Sequence, residues 1–160
     1  MSLVRVMKVC IVSMAVAAPA VSNTAADLIV QEARESIGTP YRYARESERS
    51  TDCAGLVRRV AAVAGISMPR TSRAQYRTGK PISAKDLQPG DLVFFKNTYR
   101  MGISHVGIYI GDGEFIHAAS RQKRVVVARL DVDYFARRFA GARRIVRDSL
   151  PPLPRLCAVP

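Results

Sequence analysis

The chain is predicted to fold as a single α+β domain, with helices first and an antiparallel sheet after them. Three observations predict this class. Helix caps and helically spaced apolar residues occur between positions 24 and 65, and short apolar strands separated by turn residues follow position 87. No internal repeat or break in composition divides the chain after about position 20. With 160 residues, 48% of them hydrophobic, the chain is long enough to bury one core.

The first half is expected to contain two longer helices. Thr24 and Asp27 form a capping-box pattern, and the helix that begins there should end at Gly38. A second helix should begin at Asp52, a favourable N-cap residue, and end near Gly65. The apolar residues at helical spacing are Leu28, Ala33 and Ile37 in the first helix and Leu56, Val57, Val60, Ala61 and Ala64 in the second.

The remaining elements are shorter. Residues 42–51 are polar and are expected to form a loop, and Thr71 or Ser72 is placed to cap a short third helix. A turn at 87–90 introduces the sheet. Strands are predicted at 91–95, 106–110, 114–118, 125–128 and 142–146, with a short helix at 132–139.

The two ends of the chain differ from the domain between them. Residues 1–20 combine the positive Arg5 and Lys8 with an apolar stretch at 9–17 and a small-x-small pattern at 18–20, which predicts an export signal peptide. The apolar stretch is too short for a stable membrane span, so none is expected after the signal is removed. The domain is predicted to cover 24–148, followed by a Pro-rich tail at 149–160.

The formal net charge of +12 favours an anionic partner, such as nucleic acid, anionic lipid or an anionic polymer. The basic residues are spread along the chain rather than gathered into one Lys/Arg-rich run, and no aromatic RNA-binding signature accompanies them. We therefore expect no nucleic-acid partner.

Removal of the signal leaves two cysteines, Cys53 and Cys157. In an oxidising compartment two cysteines usually pair, so a disulfide between them is one interpretation. However, Cys157 lies in the irregular Pro-rich tail, which is a poor anchor for a disulfide. We interpret Cys53 as a free thiol kept for chemistry.

Cys53 is predicted to lie in the first turn of the second helix. Free backbone N–H groups and the helix dipole would lower the thiol pKa there, which suits a nucleophile, although the charge of Asp52 opposes this. The alternative is structural, because Cys53 also falls on the apolar stripe of its helix and buried cysteine often serves as a small hydrophobe.

The two histidines fall on the two arms of the predicted hairpin. If its loop is Gly111-Asp112-Gly113, Ile110 faces Glu114, His105 faces Ala119 and His117 faces Gly107. Both histidines then share one face of the sheet and lie within side-chain reach. A two-residue loop would instead place them on opposite faces.

Cys53, His105 and His117 can supply a nucleophile, its base and a polar group that holds the tautomer of the base. A zinc site with the same three ligands is the chemical alternative. It lacks the short ligand pairs of most zinc sites, so we expect no metal and no cofactor.

Six segments, in order along residues 26–147, resemble the NlpC/P60 cysteine peptidases. Together they are specific, whereas each alone would be weak. They are GTPYRY (38–43), DCAGLV (52–57), MPRTS (68–72), LQPGDLVFF (87–95), HVGIYIG (105–111) and FIHA (115–118).

The resemblance implies a papain-like fold, with helices packed on a central antiparallel sheet. It assigns Cys53 as nucleophile, His105 as base and His117 as the third polar residue, and it associates Tyr41 with the oxyanion site. The packing of a structural tyrosine explains Tyr41 equally well. The plausible substrate-side groups are Asp52, Arg70 and Ser72, which could also be a helix cap and surface residues.

The family's usual substrates are bacterial wall peptides, cut at D-Glu–diaminopimelate bonds or at D-Ala–diaminopimelate cross-links. The resemblance therefore implies an exported peptidoglycan endopeptidase, periplasmic or extracellular, acting at an anionic cell-wall surface. Two departures bear on the choice of bond: Ala54 replaces the usual serine after the nucleophile, and Ala44-Arg45 replaces the usual glycine pair. A wall-binding module without turnover and an acyltransferase with the same three residues are the alternatives.

Overall fold

The computed structural model describes residues 24–47 and 49–146. The predicted export signal, the Pro-rich tail and Cys157 lie outside these residues. The helices are α1 (Ala25–Glu35), α2 (Cys53–Val63), α3 (Ser72–Gln75) and α4 (Asp133–Ala136), with one 3-10 turn (Ala84–Asp86). The strands are β1 (Glu46–Ser47), β2 (Ser50–Thr51), β3 (Lys80–Ile82), β4 (Leu92–Lys96), β5 (Ile103–Gly111), β6 (Glu114–Ala119), β7 (Arg124–Arg129) and β8 (Phe139–Arg144).

The caps of the first three helices form as predicted. In α1 the Thr24 side chain accepts from the Asp27 N–H, and the Asp27 carboxylate accepts from the Thr24 N–H, which completes the capping box. Asp52 caps α2, and Thr71 rather than Ser72 caps α3. The positions where the helices begin are therefore encoded by short polar side chains.

The predicted apolar stripe of α1 is partly wrong. The buried positions are Ala25, Ile29 and Ala33, whereas Leu28 is only partly buried. Ile37 is 46% exposed, because the chain leaves the helix at Ser36 and Ile37 belongs to the following turn. The helix thus ends two residues before the last residue of the predicted apolar stripe.

Two short pairings were not predicted. Residues 42–51 contain the two-residue strands β1 and β2, which form a small hairpin. β3 pairs with β8 at the edge of the main sheet, and Pro81 within it explains why the segment lacks a strand pattern. Both pairings are too short to give a clear periodicity in sequence.

The main sheet has six strands in the order β3-β8-β4-β5-β6-β7, and every neighbouring pair is antiparallel. This confirms the predicted α+β class. One face carries α1 and α2 over a core that includes Ile29, Leu56 and Ile108. The other face carries a smaller aromatic cluster around Phe95 and Phe115, against which Phe135 of α4 packs.

The β5–β6 hairpin has the two-residue loop of one predicted alternative and the strand register of the other. Its tip is the two-residue turn Asp112-Gly113, with both residues at positive φ (52° and 75°), and Gly111 pairs with Glu114. The pairing of Ile110 with Glu114 is therefore wrong. A bulge between Tyr109 and Gly111 absorbs one residue, so the arms keep the register that the three-residue loop predicts, with Ile108 opposite Ile116.

The loop after Tyr43 carries backbone strain. Ala44 has φ 56°, in the left-handed region that glycine adopts without a steric penalty. This is one of the two positions at which the family that the sequence resembles usually has glycine. Its neighbour Arg45 is fixed by two backbone hydrogen bonds, to Arg42 and from Asp52, which hold the loop in this conformation.

Within residues 24–47 and 49–146, no helix has the length and apolar character needed to cross a bilayer.

Candidate active site

Cys53 is the first residue of α2 and lines a cleft of about 170 Å³. Asp52 orients this end of the helix, because its Oδ1 accepts a hydrogen bond of 2.7 Å from the Gly55 N–H. Gly55 is required here, since a Cβ would lie 2.8 Å from the Arg45 carbonyl oxygen. Cys53 is a free thiol and is 5% exposed. The residues around the cleft are Tyr41, Tyr43, Ala44, Asp52, Ala54, Arg70, Thr71, Ser72, Tyr99 and Arg100.

The predicted lowering of the thiol pKa is wrong. Burial, and secondarily the charge of Asp52, raise the pKa of Cys53 to about 12. The backbone N–H groups of Val106, Ala54 and Cys53 lower the pKa, but by less than burial raises it. Cys53 is therefore a protonated thiol near neutral pH and needs a base to become a nucleophile.

This protonation state predicts the pH dependence of thiol alkylation. The rate of Cys53 modification by iodoacetamide should rise about tenfold per pH unit from pH 7 to 10, without a plateau, because the thiolate fraction rises in that proportion below the pKa. Peptide-level mass spectrometry would separate Cys53 from the other cysteines. A plateau near pH 7 would indicate a thiolate already formed at neutral pH and would contradict the prediction.

His105 and His117 contact each other across the β5–β6 hairpin. His105 Nε2 lies 2.7 Å from His117 Nδ1, and the two rings are nearly perpendicular, at 86°. The prediction that they share one sheet face is confirmed. A proton on His105 Nε2, donated to His117 Nδ1, leaves His105 Nδ1 as an acceptor. This is the tautomer in which His105 can act as a base.

Both imidazoles are neutral at physiological pH. Burial lowers the pKa of His105 to about 4. Burial, together with the neighbouring His105, lowers the pKa of His117 to about 3. A neutral His105 can accept a proton from a neutral thiol, whereas a protonated one could not.

Aromatic packing fixes the histidine pair. The Phe95 ring lies 6.0 Å from the His105 ring, and Phe115 and Phe135 lie 5.1 and 5.3 Å from the His117 ring. Gly107, the residue opposite His117 in this register, has no room for a side chain, because a Cβ would come within 2.5 Å of Phe115. The aromatic cluster therefore determines where both imidazoles point.

The backbone of β5, the strand that bears His105, contacts Cys53. The Val106 N–H, one residue along the strand from His105, donates to the Cys53 sulfur, which is why it lowers the thiol pKa. A second cleft, of about 420 Å³, is lined by His105 and His117, and Tyr99 borders both clefts. The thiol and the imidazole pair are thus on adjoining parts of one surface.

The other predicted site residues all line the Cys53 cleft. Arg70 binds Asp52 through two hydrogen bonds, of 2.9 Å to Oδ1 and 2.7 Å to Oδ2, and Asp52 is 7% exposed. Ser72 begins α3 and is buried. Burial chiefly raises the pKa of Tyr41 to about 12, so its phenol is a proton donor at neutral pH.

Sequence reasoning missed three residues of the site. Tyr99 and Arg100 reach the Cys53 cleft from the loop before β5. The sequence signal for them is that Tyr99 is an aromatic residue in a polar loop segment, and it is exposed in the structure. Gln75 is fully buried, and its Nε2 donates to the carbonyls of Ala54 and Pro69. It ties the start of α2 to the segment that carries Arg70, and nothing in its spacing indicated this.

No group of three His, Cys, Asp or Glu side chains in the described part of the chain is arranged to hold a metal ion.

Comparisons with known proteins match most of the chain to one family. The NlpC/P60 family model matches residues 38–144. The chain is 41% identical over 125 residues to a gamma-DL-glutamyl hydrolase of Bacillus subtilis, covering 77% of this chain and 30% of the relative. It is 38% identical over 116 residues to murein DD-endopeptidase MepH of Escherichia coli, covering 70% of this chain and 43% of the relative. The chain thus spans less than half the length of these two relatives.

A solved structure supports the same assignment. The crystal structure of an NlpC/P60 family protein from Bacillus cereus superimposes with a TM-score of 0.72 at 33% identity, over 76% of this chain and 40% of the other. The α+β fold and the ordered sequence motifs agree with this match. The chain belongs to the NlpC/P60 family.

Proposed function

We propose that this protein is an exported cysteine endopeptidase that hydrolyses peptide bonds in the stem or cross-link peptides of peptidoglycan. The observation that carries the proposal is a free thiol at a helix start that lies beside a hairpin whose two strands each bear one of two hydrogen-bonded histidines. The names of two relatives, a gamma-DL-glutamyl hydrolase and a murein DD-endopeptidase, support this substrate class.

Hydrolysis proceeds through a thioester. His105 Nδ1 accepts the proton of the Cys53 thiol as the sulfur attacks the peptide carbonyl, and it then gives the proton to the leaving amine. A water molecule, deprotonated by the same nitrogen, cleaves the thioester and releases the second product. Because both groups are neutral beforehand, attack and proton transfer are coupled.

Tyr41 and the start of α2 stabilise the charge that develops on the attacked carbonyl oxygen. The Tyr41 phenol remains protonated at neutral pH and lines the same cleft as Cys53, so it can donate to an oxyanion there. The backbone N–H of Cys53 lies in the first turn of α2, where no carbonyl of the helix accepts from it. It can therefore donate to the same oxygen.

Asp52, Arg70 and Ser72 form the polar part of the wall that faces the acyl half of the substrate. The Asp52–Arg70 pair presents a fixed arrangement of charge beside the sulfur, and Arg70 also approaches Glu46, at 3.6 Å. Such a pair can orient a charged group of the peptide without moving. The net charge of +12 supports an anionic wall surface as the place of action.

The identity of the released products tests the proposal. Purified protein would be incubated with peptidoglycan sacculi and with isolated muropeptides, and the soluble products identified by mass spectrometry. We expect products that differ from the substrate by addition of one water at a single peptide bond. Sacculus binding without released peptides would favour the wall-binding module, and products joined to an amine would favour the acyltransferase.

A further inference from the structure

The cleft beside the histidines is lined by a basic side chain and by apolar and aromatic ones. Its 420 Å³ are lined by both imidazoles, by Arg121 on the β6–β7 turn and by Val132, Tyr134 and Phe135 at α4. No acidic residue is among the side chains that line it. The cleft thus combines an apolar wall with one strong cation next to the base.

Of the arginines that line the two clefts, Arg70 has an ion-pair partner, whereas Arg100 and Arg121 have none among the described residues. Arg70, Arg137 and Arg144 each pair with a carboxylate, whereas no carboxylate lies within ion-pair distance of Arg121 in residues 24–47 and 49–146. Its guanidinium lies 5.7 Å from the centroid of the Tyr134 ring, which holds it at the cleft wall.

Tyr134 is itself fixed from another side. The Arg138 guanidinium stacks on its ring at 4.1 Å and donates hydrogen bonds to the carbonyls of Asn97 and Tyr134. The Arg138 guanidinium therefore donates its hydrogen bonds within the protein, whereas the N–H donors of Arg121 are available to a ligand. A guanidinium of this kind matches a planar carboxylate.

The chemistry of the proposed reaction fixes which half of a substrate meets this cleft. His105 must reach the leaving nitrogen to protonate it, while the acyl half becomes attached to the Cys53 sulfur. The amine-side half therefore lies toward the histidines, and the acyl half lies in the cleft that Tyr41 and Arg70 line.

We infer that the histidine-side cleft binds the amine-side half of the substrate and that Arg121 recognises a free carboxylate on that half. Val132, Tyr134 and Phe135 contact its aliphatic part. The inference rests on the proposed function for the direction of the substrate. It makes Arg121 a specificity-determining residue, with a preference for peptides whose amine-side residue is an acid rather than an amide.

The first test compares cleavage of matched muropeptides whose amine-side residue carries either a free or an amidated carboxylate. Wild-type protein should show a kcat/KM about 10- to 100-fold higher for the free acid, the effect of one charge-assisted bidentate contact. In Arg121→Ala and Arg121→Gln this ratio should fall to near one. Arg124→Ala removes the same charge from the neighbouring strand, outside the lining of the cleft, and should keep the ratio.

The second test does not require turnover. Binding of meso-diaminopimelate and of its diamide to the full-length Cys53→Ala protein would be followed by NMR through the imidazole signals of His105 and His117. Tighter binding of the acid than of the diamide, lost in the Cys53→Ala/Arg121→Ala protein, would support the inference. This result would support it even if the wild-type protein cleaves no peptide, because absence of cleavage contradicts only the proposed function. Equal binding of acid and diamide, or a preference that survives the loss of Arg121, would overturn it.

Discussion

The Cys53→Ala protein is expected to release wall peptides at least about 10⁴-fold more slowly than the wild type, because the atom that forms the thioester is gone. His105→Ala should lose activity to a similar extent, since the buried thiol, with its pKa raised to about 12, then has no base. Residues that act as one unit do not contribute additively, so the double variant should fall no further than either single variant. Product formation from muropeptides, measured by liquid chromatography, checks all three.

Two variants serve as controls for this prediction. Ala54→Ser changes the next residue in the same cleft and restores the hydroxyl that related peptidases carry there, so it should stay within about tenfold of the wild type. His117→Asn keeps a polar group beside His105 Nε2 and should lose about 10- to 100-fold. Activity above one hundredth of the wild-type value in Cys53→Ala would exclude the thioester mechanism.

The sequence predicts best those features that depend on local chemistry. Asp52 and Thr24 mark helix starts because their side chains accept the N–H groups that the first turn leaves without partners. The shared face of His105 and His117 follows from the alternation of side chains along a strand, once the register is known. These rules require no knowledge of the rest of the fold.

The register itself shows where local rules end. Turn chemistry alone favours the two-residue loop Asp112-Gly113 that the hairpin adopts, and that loop without a bulge would have separated the histidines. The bulge after Tyr109 restores the pairing, and Gly111 within it has φ 104°, a backbone conformation that favours glycine. Gly111 is therefore compatible with a bulge, but its identity does not by itself separate a bulge from a longer loop.

The sign of the Cys53 pKa shift also depends on tertiary structure. Position at a helix start predicts a lower pKa, and the backbone N–H groups do act in that direction. Burial under the sheet and the charge of Asp52 outweigh them, and the extent of burial follows from the packing of α2 on β5 and β6. Tyr99 and Arg121 illustrate the same limit, since loops far apart in sequence bring them to the clefts.

Asp52→Ala is expected to lower the free energy of unfolding by about 2 to 3 kcal/mol. About 1 kcal/mol of this comes from the lost cap of α2, and the remainder from the two charge-assisted hydrogen bonds to Arg70. About a third of the Arg70 side chain is exposed, so water can replace part of the pairing, and the loss should be smaller than for a fully buried ion pair. Urea unfolding followed by circular dichroism measures the difference.

Two further variants separate the structural role of Asp52 from its charge. Asp52→Asn keeps an oxygen for the Gly55 N–H, so it should cost about 1 kcal/mol, and it removes the charge that raises the pKa of Cys53. Alkylation of Cys53 at pH 8 should then be faster than in the wild type. Arg70→Ala leaves the Asp52 charge without its partner, so the thiol pKa should rise and alkylation should be slower.

The opposite signs of these two effects make the test decisive. Loosening of the helix start would expose the sulfur in both variants and would speed alkylation in both. Only an electrostatic link between the Asp52–Arg70 pair and the thiol changes the rate in opposite directions. If both variants react faster, the pair acts by holding the first turn of α2 in place, and the charge of Asp52 contributes little to the reactivity of Cys53.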